Sequence, residues 1–300
     1  MKNTTRAAIR LLPLALRRAI IRTAAATAAL AAFNTVALAQ QYHGGAQHSA
    51  GAQAGAPTLH VNPRWKECSF QLDASLTQAA WRQFTGEAGV VTYFRPLSGA
   101  EPMGKGRFEV SVLQWETAID DSEAAWNDTF VHPDSTHWLF EGNSLAFPGL
   151  TARMGVSDRT DVGVYVTKSP GANYGFYGAQ VQHSLAQDAE KRWSAAGRVS
   201  FVSMYGPEDL EFSVYGMDLV ASRRFDVFRR VSISPYAVAS ASLSRSHEKS
   251  AVVDLMDENV LGVQGAVGAS ARISVATVAV EYAASRVNSF SMKIGFGALP

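Results

Sequence analysis

Long apolar runs are missing from most of this 300-residue chain. Beyond residue 39, no stretch has the 18 or so consecutive apolar residues that a membrane-spanning helix requires, so a helical membrane protein is excluded. The remaining length could bury a full core. Two classes are therefore left: a soluble β-protein and a membrane β-barrel.

Cysteine and catalytic motifs are also scarce. A single cysteine, Cys68, cannot form an internal disulfide. The sequence has no glycine-rich phosphate loop, nucleophile elbow or paired-carboxylate motif. His183 and Ser184 are adjacent, but neighbours on a strand point to opposite faces and do not easily share a hydrogen bond. We predict no catalytic residue, no cofactor and no metal; a membrane-embedded hydrolase acting on lipid or peptide is an alternative.

An excess of positive charge is absent after the first 39 residues. Residues 1–39 place six basic side chains before an apolar run and end in Ala37, Leu38 and Ala39, which is typical of a cleaved export signal. Removing these six charges takes the formal net charge from +1 to −5. A mildly acidic chain argues against a nucleic-acid partner, which normally requires a basic surface.

Two segments follow the signal. Residues 40–60 are rich in Gly, Ala, Gln and His without periodicity, and we predict a flexible linker there. Residues 61–104 are predicted to form a periplasmic or plug segment with a short helix. Asp73 can cap that helix, Leu76, Ala80 and Phe84 share one face, and Gly86 is expected to end it.

From residue 105 to residue 300 the hydrophobic pattern has a period of two, as in β-strands. In the last strand Phe290, Met292, Ile294 and Phe296 form an apolar face opposite small or charged residues. Ten such segments occur, at 107–117, 147–157, 161–168, 174–185, 194–205, 210–222, 231–244, 260–271, 277–282 and 289–296. We predict an all-β fold, an antiparallel transmembrane barrel of about ten strands. Twelve is the alternative, because 89–95 and part of 120–146 could supply another pair.

Connection lengths predict the orientation. Tight connections at 156–162 and 272–274 alternate with long ones at 118–146 and 245–259. In outer-membrane barrels the short turns face the periplasm.

These residues resemble bacterial outer-membrane β-barrel proteins as a broad class. The likeness is carried by the turn Ser157-Asp158-Arg159-Thr160-Asp161, the alternating strands and the final strand closing on Phe296. It implies an outer-membrane location, contact with outer-membrane lipids, and assembly by the barrel-assembly machinery. In that class a near-terminal aromatic resembles the signal that the machinery reads. The architecture does not name an activity.

Three further groups of residues are candidate sites. The polar phase of the strands predicts a charge network in a narrow, largely filled lumen: Glu109, Arg153, Arg198, Glu211, Glu281 and Lys293. An acidic outer loop contains Asp120, Asp121, Glu123, Asp128 and Asp134, which we interpret as solvated rather than as a Ca²⁺ site, because the regular Asp-x-Asp-x-Asp-Gly pattern is missing. Aromatic residues near strand ends predict membrane-interface girdles: Tyr165, Tyr174, Phe176, Tyr177, Trp193, Tyr205, Tyr215 and Tyr282.

The functional expectation is an outer-membrane barrel of Gram-negative bacteria, either a porin-like narrow channel for small solutes or a structural barrel whose loops contact a partner. The sequence does not choose between these two. A soluble periplasmic β-protein that binds a ligand is a third interpretation.

Overall fold

The computed structural model describes residues 69–120, 122–131, 139–140, 144–168, 173–188, 190 and 192–298. They belong to one compact unit of the chain, residues 58–300. The predicted export signal, the linker at 40–60, and Cys68, Asp121 and Asp134 lie outside the described residues.

The described elements are mostly strands. In chain order they are β1 (Ser69–Phe70), α1 (Gln78–Val91), β2 (Phe108–Ala118), α2 (Ala124–Asn127), β3 (Phe130–Val131), β4 (Leu139–Phe140), β5 (Ser144–Gly155), β6 (Thr160–Lys168), β7 (Gly175–Gln187), β8 (Trp193–Tyr205), β9 (Leu210–Arg223), β10 (Phe225–Phe228), β11 (Val231–Glu248), β12 (Glu258–Ile273), β13 (Ala276–Ala284) and β14 (Ser289–Ala298).

Ten of these strands, counted over the described residues, close into an antiparallel barrel. The ring runs β2-β5-β6-β7-β8-β9-β11-β12-β13-β14 and returns to β2. It closes where β14 pairs with β2 from Ser289 opposite Thr117 to Ala298 opposite Phe108. The predicted all-β barrel of ten strands is confirmed. β4 and β10 only extend the ring locally, along β5 and β11.

Side chains alternate between the lumen and the outside along each strand. In β14 the small or charged residues from Ser289 to Gly295 are buried, whereas Phe290 and Phe296 are exposed. Outside, the barrel middle carries aliphatic side chains such as Leu219, Leu261 and Val263, the last two 78% exposed. A belt of exposed apolar side chains on the outside is the inverse of a soluble protein and the pattern of a transmembrane barrel.

The two ends of the barrel differ. One end, here called the turn end, carries the connections 156–159, 188–192, 224–230 and 274–275. The opposite one, the loop end, carries 119–143, 169–174, 206–209, 249–257 and 285–288, including the two longest. Ser274 takes a φ of 59° in the two-residue turn between β12 and β13. Chain reversal in two residues needs such a left-handed residue.

Residues 71–107, here called the plug, pass through the lumen from the loop end to the turn end. At the loop end β1 pairs with β3, and Gln78 donates to Glu258 at the start of β12. Beyond α1 the chain is extended. It reaches the turn end, where the Gly106 N–H donates to the Gly155 carbonyl at 2.8 Å before β2 begins.

The helix α1 differs from its prediction at both ends. Thr77, not Asp73, caps it, by accepting a hydrogen bond from the Ala80 N–H at 3.3 Å. The helix continues past Gly86 to Val91, and Gly86 instead allows close packing: a Cβ there would meet the side chain of Arg286. The alternative strand at 89–95 is not formed. No helix among the described residues is long and apolar enough to cross a membrane.

Candidate functional site

The loop half of the lumen is filled by aromatic side chains from the plug and from the wall. Phe84 of α1 packs edge-on against Trp126 at 5.2 Å between ring centroids and lies 6.3 Å from Phe212 of β9. Further along the plug, Phe94 stacks on Tyr165 of β6 at 5.4 Å. All are nearly inaccessible to solvent. Large buried rings fill this half of the lumen and leave little room for water.

Deeper in the lumen, three buried ion pairs join neighbouring strands. Lys293 Nζ lies 2.7 Å from Glu109, Arg153 lies 2.5 Å from Asp161, and Arg198 lies 3.2 Å from Asp218. Each side chain is at least nine-tenths buried. Charges at this depth persist only when each has a partner of opposite sign.

The cations of these pairs also hold the plug backbone. Lys293 donates to the Pro96 carbonyl at 3.0 Å, Arg198 to the Ser98 carbonyl at 3.4 Å, and Arg153 to the Glu101 carbonyl at 3.4 Å. An extended segment has carbonyls without strand partners, and these wall cations supply donors to three of them.

Two of the acids bind the plug as well. Asp161 accepts the Met103 N–H at 3.1 Å, and Asp218 accepts the Tyr93 hydroxyl at 2.7 Å. The plug runs close to the wall here: a Cβ on Gly216 would collide with the Tyr93 ring. The ion pairs are therefore part of the attachment of the plug.

Neutral side chains complete the attachment. Their contacts are Trp115 with the Val91 carbonyl at 2.7 Å, Gln264 with Arg95 at 3.1 Å, Ser222 with the Ala100 N–H at 2.9 Å, Gln182 with the Gly99 carbonyl at 3.5 Å, and Ser246 with Thr85 at 2.6 Å. With the charged contacts, side chains on nine of the ten barrel strands hydrogen-bond to the plug.

The sequence-predicted lumen residues have mixed outcomes. Glu109, Arg153, Arg198, Glu281 and Lys293 are buried in the lumen. Of these, only Glu109 and Lys293 pair with each other. Glu281 lies beside Tyr236 and Arg95. The expected single network is thus a set of separate pairs around the plug.

The prediction for Glu211 is wrong. Its side chain is 67% exposed on the outside of β9 and pairs with Lys249 at 3.1 Å. The reason is the alternation of side chains along β9. Leu210 and Phe212, on either side of Glu211, are buried, so Glu211 faces outward together with the lipid-facing Tyr215. Its position at the loop end leaves the charge in water.

Sequence reasoning missed Asp161 and Asp218, the partners of two predicted arginines. Asp218 shares the buried phase of β9 with Phe212 and Val214, so counting in twos finds it only once that apolar phase is known to face inward. Asp161 falls both in the predicted turn 157–161 and at the start of the predicted strand 161–168; it lies inside β6 and faces inward. No plug contact was predictable without the fold.

The acidic outer loop is described only in part. Asp120 caps the turn at Ser122, Glu123 accepts from Gln83 of α1, and Asp128 accepts from Ser75 at 3.2 Å. Trp126 in this loop donates to Glu87 at 2.6 Å. These contacts fold the loop onto the plug. Within the described residues, no group of three His, Cys, Asp or Glu side chains could hold a metal.

The predicted aromatic girdles need correction. Tyr177, Tyr205, Tyr215 and Tyr282 are exposed near the loop end and Trp193 near the turn end, as expected for a membrane interface. The other three are not interface residues: Tyr165, Tyr174 and Phe176 point into the lumen, where the plug covers them.

The adjacent His183 and Ser184 do not form a catalytic pair. Ser184 is 5% exposed and faces the lumen, whereas His183 is exposed and contacts Thr160 at 3.0 Å. Neighbouring strand residues point apart, so the imidazole does not reach the hydroxyl.

No protein-family model and no curated protein sequence matches the chain. Solved structures that resemble it include bacterial outer-membrane β-barrels. The beta domain of the Bordetella autotransporter Brka is 11% identical, with a TM-score of 0.38 over 65% of this chain and 100% of that one. An outer-membrane channel from Pseudomonas putida F1 is 9% identical, with a TM-score of 0.39 over 68% and 100%. The Yersinia pestis attachment protein Ail is 12% identical, with a TM-score of 0.26 over 64% and 97%. Likenesses of this size say nothing about activity.

Proposed function

We propose that this chain is a non-enzymatic outer-membrane barrel that its own plug keeps closed, and that it acts as a structural or interaction barrel through its loop end. The plug supports this most directly, because side chains on nine of the ten strands hydrogen-bond to it. From a lumen filled in this way we expect no continuous water path.

The outer surface supports placement in a lipid bilayer. Exposed aromatic side chains occur near both barrel ends, Tyr177 and Phe290 at the loop end and Trp193 and Phe296 at the turn end. Aliphatic side chains lie between them. This is the arrangement of a lipid-facing belt with two interfaces, so outer-membrane lipids are the expected surroundings.

Insertion by the barrel-assembly machinery would use the C-terminal strand. Phe290, Met292, Ile294 and Phe296 form the outward face of β14, so they are available to a partner before the ring closes against β2. We expect Phe296→Ala to lower the fraction of folded barrel in cells. The protein should still be synthesised and its export signal should still be removed.

Channel recordings test the closed state. Purified protein, shown to be folded by heat-modifiable migration on a detergent gel, is added to planar bilayers. We expect insertion with very small or no conductance steps, because the plug fills the lumen. Large, stable open channels from the wild-type protein would overturn the proposal.

A narrow channel for small solutes is the second candidate. It is favoured by a cavity of about 390 Å³ that enters the lumen from the turn end. The plug contacts around this cavity are polar, and solutes or water could replace them if the plug moved. Liposome swelling in small sugars separates the candidates: entry into wild-type vesicles supports the channel, and exclusion supports the closed barrel.

A further inference from the structure

A cavity at the turn end lies between the plug and the barrel wall and is here called the turn-end cavity. It has the size of a binding site. Its volume of about 390 Å³ falls in the range of small-molecule pockets, roughly 300 to 1,000 Å³. Plug residues Leu97 to Gly99 and Glu101 to Met103 form one side, and Ser232, Ser234 and Ser270 of β11 and β12 form the other. One wall of the cavity is thus made by the segment that closes the barrel.

Positive side chains predominate in this cavity. Six cationic residues line it: Lys105, Arg107, Arg153, Arg224, Arg272 and Lys293. Only three carboxylates line it: Glu101, Glu109 and Asp158. Asp161 and Asp226, which pair with Arg153 and Arg224 at 2.5 and 2.9 Å, add two carboxylates from outside the lining. Six cations then face five carboxylates, an excess of one positive charge that favours an anion over a cation.

Buried donors in the lining point to the same ligand chemistry. Within the described part of the chain, the carboxylate oxygen Glu101 Oε1 of the lining is buried without a hydrogen-bond partner, and so are two donors, Arg153 Nε and Ser98 Oγ. Both donor residues are 9% exposed. Buried polar atoms are nearly always paired, with protein, water or ligand. Phosphate and carboxylate oxygens accept from guanidinium and hydroxyl groups and match the planar donors of arginine.

We propose that the turn-end cavity binds a small anion that carries a phosphate or carboxylate group and enters from the aqueous phase at that end. The anion neutralises the excess positive charge and bridges the plug to β12 and β14. Anion binding goes beyond the proposed function, because a closed barrel can bind the anion or not bind it without opening.

Isothermal titration calorimetry tests whether the turn-end cavity binds such an anion. Full-length folded protein in a neutral detergent, without lipid, is titrated with inorganic phosphate and separately with succinate, at constant ionic strength and with chloride as the reference anion. The site variant is Arg107→Gln combined with Arg272→Gln. The matched control is Arg245→Gln, an exposed arginine of β11 close to the loop end.

We expect saturable binding of at least one probe by the wild type, about tenfold weaker in the double variant and within about twofold in the control. Heat-modifiable migration verifies folding. Should the double variant not fold, Arg107→Gln alone is used, because that side chain is exposed. No saturable binding by the wild type up to about 20 mM, or equal weakening by the control, would overturn the proposal.

Discussion

Buried lysine and arginine residues are rare in proteins unless they are paired. In this barrel Lys293, Arg153 and Arg198 each bind a wall carboxylate and also a plug carbonyl. Replacing a buried pair as a whole is often neutral, but removing one member leaves an uncompensated charge. Single substitutions at these pairs should therefore cost more than double substitutions.

Lys293→Met tests this at the residue level. It leaves Glu109 buried without the ammonium group that pairs with it, although the Ser111 hydroxyl still donates to it at 3.0 Å. We expect a loss of about 3–5 kcal/mol in the free energy of unfolding, measured by urea titration of refolded protein. Glu109→Gln added to Lys293→Met should recover part of that loss. Additive destabilisation in the double variant would contradict the pairing.

At the scale of elements, the period of two was sufficient to predict the ten barrel strands, because each has one lipid-facing and one inward phase. It was not sufficient where an apolar strand face points into the lumen instead of toward lipid. Tyr165 and Phe176 are apolar residues in the inward phase, since the plug gives the lumen an apolar half. Sequence spacing does not reveal which strand phase meets a plug, so Glu211 was misassigned and Asp218 was missed.

The fit of α1 against the wall yields a prediction at this scale. Gly89 faces β11 so closely that a Cβ would collide with the Ser244 side chain. We expect Gly89→Leu to push the helix away from the wall, because overpacked sites cost about 1–3 kcal/mol and force shifts. Open steps in planar bilayers should become more frequent than in the wild type. Ala79→Leu, on the exposed side of the same helix, is the control. Equal behaviour of the two variants would show that this contact does not hold the plug.

At the scale of the whole molecule, the path of the chain determines at which barrel end each segment lies. The first described residues, β1, lie at the loop end, and the plug then crosses the lumen to begin β2 at the turn end. Short turns face the periplasm in outer-membrane barrels. Ser75 and Arg159, both exposed, are therefore expected on opposite sides of the membrane.

Cysteine labelling in intact cells tests this orientation. Ser75→Cys and Arg159→Cys are each made in a Cys68→Ser background and exposed to a membrane-impermeant maleimide. Ser75→Cys, at the loop end, should react in intact cells. Arg159→Cys, in the turn between β5 and β6, should react only after the outer membrane is permeabilised, which also proves that its thiol is accessible. The reverse labelling pattern would mean that the barrel has the opposite orientation in the membrane, with the turn-end cavity at the cell surface. Labelling of both in intact cells would mean that the protein does not separate two compartments.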